Sequence, residues 1–345
     1  MIGPMSKRVL VGLMLVVLVA GFLLAGALWR DYQCFLSQTI QTDQERVLFD
    51  VPRGTSLRTL ARRLREQGLI ERPIYFIAMV YLRGDQGRIK AGEYAFTRDM
   101  TPPRLLEWLT SGRVVEYNLT LVEGWTFRQA LAAIDSHEVF AGGPRLADLS
   151  DAEIMARLGR PEAHPEGLFF PDTYRFTRQT SALDLLRRAL ARMETILAEE
   201  WEQRAPNLPI TTPYEALILA SIIEKETAMA DERPRIAGVF TRRLQRGMRL
   251  QTDPTVIYGL GERYDGNIRR ADLREATPYN TYVIPGLPPT PIALVGREAI
   301  HAALHPEEGE ELYFVARGDG RHVFSRTLEE HNQAVRRYIL SRNDE

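Results

Sequence analysis

Residues 216–227 form an aliphatic run that carries two glutamates, and one of them could act as an acid catalyst. The run has no Pro or Gly and is rich in Leu, Ile and Ala, which predicts a largely buried helix. With helical periodicity, Glu226 shares a face with Ile222 and Ile223, whereas Glu224 points elsewhere. A carboxyl group on an apolar face has a raised pKa and can hold a proton near neutral pH. Glu226 is therefore a candidate general acid; the alternative is a structural carboxylate that turns to water or pairs with an arginine.

A second group of candidates is polar and lies in predicted loops. Gln251, Thr252 and Asp253 stand next to each other just before an apolar segment. We expect residues 248–258 to be extended, with a turn at Asp253, which precedes a proline. Asn280 belongs to a second polar loop set, residues 279–291, which is rich in proline. Loops on a rigid scaffold concentrate binding groups, so these four residues are candidates for substrate binding, or they tie the loops together.

The composition of the whole chain restricts the function classes. The 345 residues suffice for two domains after a membrane segment, and the net charge of −1 argues against a nucleic-acid-binding protein. Cys34 is the single cysteine, which excludes an intrachain disulfide and a multi-cysteine metal site. His301 and His305 have a spacing that can bind metal, but no His-Glu-x-x-His motif surrounds them. We therefore predict neither a metal nor a cofactor.

The amino-terminal part predicts a membrane anchor. Residues 9–29 form a run of 21 residues without a charge, long enough to cross a hydrocarbon core as a helix. Lys7 and Arg8 precede it, so residues 1–8 are predicted to be a cytoplasmic tail and the rest of the chain to lie outside. The alternative is a cleaved signal peptide with its cut site near Ala25 to Ala27. Residues 30–43, which are mostly polar, are predicted to form a stalk.

The remaining chain predicts an α+β fold in two parts. Residues 44–117 show strands at 47–51 and 90–96 and helices that begin near Ser56, Pro73 and Pro102. From residue 114 onward we predict a strand at 114–122, a hairpin at 312–324 and seven helices, with a capping box at Ser150 and Glu153. The predicted helices besides the central one are 127–134, 150–158, 182–204, 231–246, 299–304 and 328–340. The aromatic cluster at 164–174 suits either sugar stacking or an ordinary core.

Several motifs, in this order along the chain, resemble one known family. The strongest are ASIIEKET at 220–227, GMRLQTDPTVIY at 247–258, YNTY at 279–282 and GLPP at 286–289. Shorter ones are KAGEY at 90–94, LVEG at 121–124 and FPDTY at 170–174. Together they resemble the endolytic murein transglycosylases (MltG/YceG-like), and the resemblance runs from the predicted anchor to the last helix.

The resemblance implies a specific activity and place of action. Residues 44–117 would form a LysM-like module that binds glycan, and residues 118–345 the catalytic domain. Lytic transglycosylases carry a catalytic Glu followed by Ser or Thr at a helix end, which here is Glu226 and Thr227. The family cleaves between N-acetylmuramic acid (MurNAc) and N-acetylglucosamine (GlcNAc) in nascent peptidoglycan, without a metal or cofactor, and leaves a 1,6-anhydro end. It also implies a single-pass inner-membrane protein with a periplasmic catalytic domain, associated with the peptidoglycan synthases.

Two alternatives to this activity are open from the sequence. Asp253 could serve as a second carboxylate, which would make the enzyme a hydrolytic muramidase. The chain could also be a membrane-anchored glycan-binding scaffold in which Glu226 is structural.

Overall fold

A computed structural model describes residues 7–42 and 44–340 of the chain. The structure combines helices and strands, which confirms the predicted α+β class. The chain divides into two compact units. The first extends to Tyr117 and includes Thr177–Gln179, and the second comprises Asn118–Phe176 and the chain from Thr180 onward.

The first unit begins with a long apolar helix, α1 (Lys7–Ser37). Its segment from Leu10 to Ser37 is long and apolar enough to cross a membrane, and its large apolar side chains up to Trp29 are exposed. The helix continues into the segment predicted as a stalk, where Phe35 and Ile40 are buried in the core of this unit. The segment is therefore not a free linker, because it packs against the rest of the first unit.

The core of the first unit is built on a two-stranded antiparallel sheet, β1 (Arg46–Val51) with β2 (Gly92–Thr97), in which Phe49 faces Tyr94. Three helices complete the unit: α2 (Leu57–Glu66), α3 (Pro73–Arg83) and α4 (Pro102–Ser111). Ser56 caps α2 by accepting a hydrogen bond from the Thr59 amide. Along the chain, the two strands are separated by two helices, in the order β1–α2–α3–β2. The assignment of this unit as a LysM-like module stays a prediction.

The second unit is mainly helical. Its helices are α5 (Phe127–Ser136), α6 (Asp151–Arg157), α7 (Ala182–Glu202), α8 (Pro213–Glu226), α9 (Arg233–Gln245), α10 (Asp253–Leu260), α11 (Arg297–Leu304) and α12 (Leu328–Val335). Strand β3 (Glu116–Thr120) pairs with β4 (Thr173–Thr177), and β5 (Tyr313–Ala316) forms an antiparallel hairpin with β6 (His322–Ser325). The predicted capping box of Ser150 and Glu153 is confirmed at the start of α6.

Helix α8 is the central element of this unit. It packs against α7, α9, α10 and α11, and all residues from Ala216 to Ile223 are buried. A buried helix of this kind owes its stability to packing on all sides rather than to an amphipathic face. The elements that surround α8 therefore decide what its carboxyl-terminal residues meet.

Two predictions about local structure are decided here. The extended conformation predicted for residues 248–258 is wrong from Asp253 onward, because α10 begins there with Pro254 in its first turn, a favoured position for proline.

The aromatic cluster at 164–174 belongs to the core. Phe169 and Phe170 are 0% and 8% exposed, and Phe169 stacks on Phe127. Stacking on a sugar would require an accessible ring face, so the core alternative is the correct one.

Candidate active site

Glu226 occupies the last position of α8. At the other end of this helix, Thr212 and Glu215 form a capping box, and Pro213 stands at the first helical position. The following Thr227 is extended, with φ −144°, so the helix ends immediately after Glu226. The buried body of α8 fixes the position of this terminal side chain.

The surroundings of Glu226 favour a protonated carboxyl group. The side chain is partly exposed, and its Oε1 accepts a hydrogen bond from the Thr252 hydroxyl. Among the residues described, no Lys, Arg or His forms an ion pair with it. Burial raises the pKa of Glu226 to about 7, the charge of Asp253 acts in the same direction, and the Thr252 hydrogen bond acts against them. Glu226 can therefore both give and take a proton near neutral pH.

Glu224, on the same helix, has the contacts of a structural carboxylate. It is ion-paired with Arg233, at 3.3 Å, and accepts a hydrogen bond from the Gly296 amide, at 3.1 Å. Burial raises the pKa of Glu224, but the amide and Arg233 oppose that effect. The alternative considered for Glu226, a carboxylate neutralised by arginine, is thus realised at Glu224 and not at Glu226.

Thr252 is held in place by a second loop. Its amide donates to Thr281 Oγ1 at 3.1 Å, and its carbonyl accepts from Thr255 Oγ1 at 2.8 Å. Thr252 and Thr281 are 2% and 0% exposed, so water does not compete for these bonds. The two predicted polar loops therefore meet at Glu226, and Thr252 acts on the carboxyl group directly.

Asp253 and Gln251 flank Thr252 and line the cavity described below. Asp253 Oδ1 accepts a hydrogen bond of 2.6 Å from the Tyr282 hydroxyl. Gln251 has φ +52°, a left-handed conformation that is uncommon for a residue other than glycine. Such backbone strain persists only where surrounding contacts impose it, and it is frequent at functional sites.

Asn280 has a different environment from the other three candidates. It is 1% exposed, its amide nitrogen donates to the carbonyls of Asp272 and Glu275, and its Oδ1 accepts from the Tyr282 amide. These three bonds use its amide to shape the loop that carries Thr281 and Tyr282. In this structure Asn280 ties the loop together and does not line the cavity.

A cavity of about 580 Å³ opens beside Glu226. One side carries Glu226, Gln251, Asp253 and Tyr282. The other side comes from the carboxyl-terminal part of the chain and includes residues of β5, β6 and α12. A volume in this range accommodates a ligand of several hundred daltons. Glu226 thus lines an open cavity of this size and does not lie in a sealed interior.

Sequence reasoning missed Arg243, which connects the two sides of this cavity. Its guanidinium, with the residue 6% exposed, donates to the carbonyls of Leu312 and Leu250 at 2.6 and 2.8 Å and to Gln251 Oε1 at 3.3 Å. It also lies over the Tyr313 ring, 5.0 Å from the centroid. A rigid planar donor can satisfy several acceptors at once, which a lysine cannot. In a chain so rich in arginine, no local sequence feature distinguishes this one.

Another buried carboxyl group with a raised pKa, Glu166, contacts α10 near the other end of this helix. It is 3% exposed and accepts hydrogen bonds from the Phe127 amide, at 2.8 Å, and from the Tyr258 hydroxyl, at 3.0 Å. Burial raises the pKa of Glu166 to about 7, and both hydrogen bonds oppose this. Tyr258 belongs to α10, which begins at Asp253, so Glu166 helps to hold the helix that presents Thr252 and Asp253.

Glu200, His301 and His305 come close enough to hold a metal ion, since their potential ligand atoms lie within 4.8 Å of one another. Their contacts are those of a helix–helix ion-pair network. Glu200 accepts from Arg297, at 2.6 Å, and bonds His301 Nδ1, at 2.8 Å, while His305 Nε2 faces the Gln203 carbonyl at 2.8 Å. A cation would have to compete with Arg297 for the same carboxylate.

Comparisons with known proteins agree on one family. The sequence profile of the YceG-like family matches residues 49–337. The endolytic murein transglycosylase of Bacillus subtilis (strain 168) is 32% identical over 325 residues, which cover 90% of this chain and 89% of that protein. The endolytic murein transglycosylase of Streptococcus pneumoniae (strain D39) is 27% identical, with 93% of this chain aligned to 64% of the relative.

A solved structure supports the same relationship. The 2.6 Å crystal structure of a putative YceG-like protein from Listeria monocytogenes superposes with a TM-score of 0.55 at 30% sequence identity. The match covers 84% of this chain and 99% of that one.

Proposed function

The chain belongs to the YceG-like family, and from this premise we propose that it is a membrane-anchored endolytic lytic transglycosylase of peptidoglycan. The observation that carries the proposal is Glu226, a carboxyl group with a pKa of about 7 at the wall of a large cavity, with no cation paired to it among the described residues. The names of the relatives supply the substrate class, which is murein.

The proposed reaction starts with a proton transfer from Glu226. The protonated carboxyl donates to the oxygen that links C1 of MurNAc to GlcNAc, and the C1–O bond breaks. Positive charge develops on the MurNAc ring as the leaving sugar departs, and the carboxylate that forms lies close enough to stabilise it. Thr252 donates to Oε1 and so stabilises this carboxylate form.

The second half of the reaction returns the proton. The Glu226 carboxylate accepts the proton of the C6 hydroxyl of the same MurNAc, and O6 bonds to C1 to give the 1,6-anhydro ring. The nucleophile is tethered to its target, so no second carboxylate and no activated water is required. A pKa near 7 suits a group that must be an acid in one step and a base in the next.

The competing chemistry is hydrolysis with Asp253 as the second carboxylate. Asp253 lines the same cavity, but one of its oxygens accepts the Tyr282 hydroxyl. That bond favours a role in shaping the site over activation of a water molecule. Mass analysis of the cleaved ends separates the two reactions, because hydrolysis adds one water to each cut and the lytic reaction adds none.

The placement of the enzyme is part of the proposal. Helix α1 would cross the inner membrane once, with the amino terminus in the cytoplasm and the catalytic unit in the periplasm, and residues 44–117 would bind glycan as a LysM-like module. An anchored enzyme stays close to strands still attached to the membrane, which suits a role in ending strand elongation. Association with peptidoglycan synthases follows from the family resemblance.

The non-enzymatic alternative is a glycan-binding scaffold, and one variant decides between them. Glu226→Gln keeps the shape of the side chain and removes its ability to exchange a proton. We expect this variant to fold and bind glycan strands but to release no anhydro ends. Glu262→Gln changes an exposed glutamate elsewhere in the second unit and serves as the matched control, with wild-type product. Normal product from Glu226→Gln would remove this residue from the reaction.

A further inference from the structure

Part of the wall of the cavity beside Glu226 is formed by one face of α12 and the turn that follows it. The residues of α12 that line the cavity stand at positions i, i+3, i+4 and i+7, so they project from the same side of the helix: Leu328, His331, Asn332 and Val335. Ile339 continues this face in a π-helical segment, Arg336–Leu340. Single π-helical turns are rare and occur frequently at functional sites.

This face of α12 and the turn after it combines exposed aliphatic side chains with one polar amide. Leu328, Val335 and Ile339 are aliphatic, and Leu328 and Ile339 are 55% and 38% exposed. Asn332 places an exposed amide among them. Aliphatic side chains left exposed on a cavity wall are available to a ligand rather than to the core.

His331 adds a neutral polar group to the same wall. Its ring stacks on Tyr313, at 5.3 Å between centroids, and its buried Nδ1 has no hydrogen-bond partner among the described residues. Burial, and then the positive charge of Arg243, lower the pKa of His331. The wall therefore offers hydrogen-bonding groups and methyl-sized apolar contacts without a carboxylate of its own.

A ligand group that combines a methyl with an amide matches this wall better than a hydroxyl or an ammonium would. Hydroxyls leave the aliphatic side chains uncovered, and an ammonium held against the α12 face would find no carboxylate among the residues of that face and would be repelled by Arg243, which acts on His331. Both sugars of peptidoglycan carry a 2-acetamido group, which has this combination. We infer that the α12 face is a subsite for the 2-acetamido group of the bound glycan, with Val335 and Ile339 against its methyl and Asn332 bonded to its amide. This inference rests on the proposed function for the identity of the glycan.

Binding to defined oligosaccharides tests the subsite without turnover. The full chain carrying Glu226→Gln is titrated calorimetrically with a GlcNAc–MurNAc tetrasaccharide, its N-formyl analogue, which lacks only the methyl, and its N-deacetylated form. We expect the acetylated probe to bind about tenfold or more tightly than either analogue, a usual value for one methyl or one well-placed polar contact.

Variants then assign this preference to the wall. Val335→Ala should reduce the preference for acetyl over formyl, and Asn332→Ala the preference for acetyl over free amine, each toward unity. Gln333→Ala, on the same helix but outside the cavity lining, is the control and should change neither ratio. If Val335→Ala lowers the melting temperature, the exposed Asn332 still tests the inference alone. The inference is wrong if Asn332→Ala leaves the ratio of the affinities for the acetylated and N-deacetylated probes unchanged. An equal loss of affinity for all probes is one such result.

The subsite and the reaction can fail separately. A wild-type enzyme that shows the predicted binding ratios but releases no anhydro ends refutes the chemistry and leaves the subsite standing. One that releases anhydro ends while Asn332→Ala retains the full acetyl preference refutes the subsite alone.

Discussion

Replacing Thr252 by valine should move the pH dependence of catalysis upward. The Thr252 hydroxyl donates to Glu226 Oε1 and so stabilises the ionised carboxylate. A hydrogen bond to a charged group contributes about 1.5–3 kcal/mol, and one pKa unit corresponds to about 1.4 kcal/mol. Loss of the hydroxyl should therefore raise the pKa of Glu226 from about 7 by roughly one to two units.

The sign of the effect on the rate follows from the proposed role of Glu226 as an acid. Only the protonated form starts the reaction, so kcat/KM is maximal below the pKa and falls about tenfold per pH unit above it. In Thr252→Val the alkaline limb should shift to higher pH. Asp253→Asn should shift it to lower pH, because the charge of Asp253 raises the pKa of Glu226.

The assay is the initial rate of anhydro-end release from purified glycan strands between pH 5 and 9. Thr241→Val is the matched control, because the Thr241 hydroxyl is buried and has no hydrogen-bond partner among the described residues. It should leave the alkaline limb where it is. An alkaline limb that stays in place in both Thr252→Val and Asp253→Asn, or moves in the same direction in both, would refute the assignment of the titrating acid to Glu226.

Further predictions concern stability and site geometry. Because burial raises the folded-state pKa of Glu226 from its usual 4.5 to about 7, the stability of the wild type should fall as pH rises through this range. The melting temperature of Glu226→Gln should therefore exceed that of the wild type at pH 8, and the gap should shrink at pH 5. Tyr258→Phe removes a hydrogen bond to the buried Glu166 and should cost about 1–3 kcal/mol, measured by denaturant unfolding against Tyr81→Phe, an exposed ring. Arg243→Lys should speed amide hydrogen exchange at residues 249–253, because lysine cannot satisfy the same set of acceptors.

The position of Glu226 on α8 was predictable because its signal is local. Helical phase and the aliphatic composition of residues 216–227 identify Glu226, and the structure places it at the cavity. The difference between Glu226 and Glu224 was predictable only in part. The sequence shows that Glu224 points in another direction, but not that it pairs with Arg233. That pair depends on the way α9 crosses α8, which no local pattern encodes.

At Thr252, tertiary packing overrides the local preference of the sequence for a strand. The β-branched residues of 252–257 favour a strand, yet a proline at the first turn after Thr252 is a standard helix start, and the helix forms. Packing of α10 on α8 decides between the two. As a result Thr252 is buried at the start of α10 and donates a hydrogen bond to Glu226.

The wall formed by α12 was not predictable as part of the site. Asn332 lies about a hundred residues beyond Glu226, in a segment that reads as an ordinary terminal helix. Only the packing of the β5–β6 hairpin and α12 brings it to the cavity.

Cleavage in water enriched in ¹⁸O tests the central claim most directly, because it shows whether the C6 hydroxyl or water attacks C1. If Glu226 passes its proton to the leaving sugar and then takes one from the C6 hydroxyl of MurNAc, the new ends released by the wild type contain no ¹⁸O. They should also be one water lighter than a reducing end. New reducing ends that carry one ¹⁸O atom would show that water attacks C1, and would contradict the single-acid reaction.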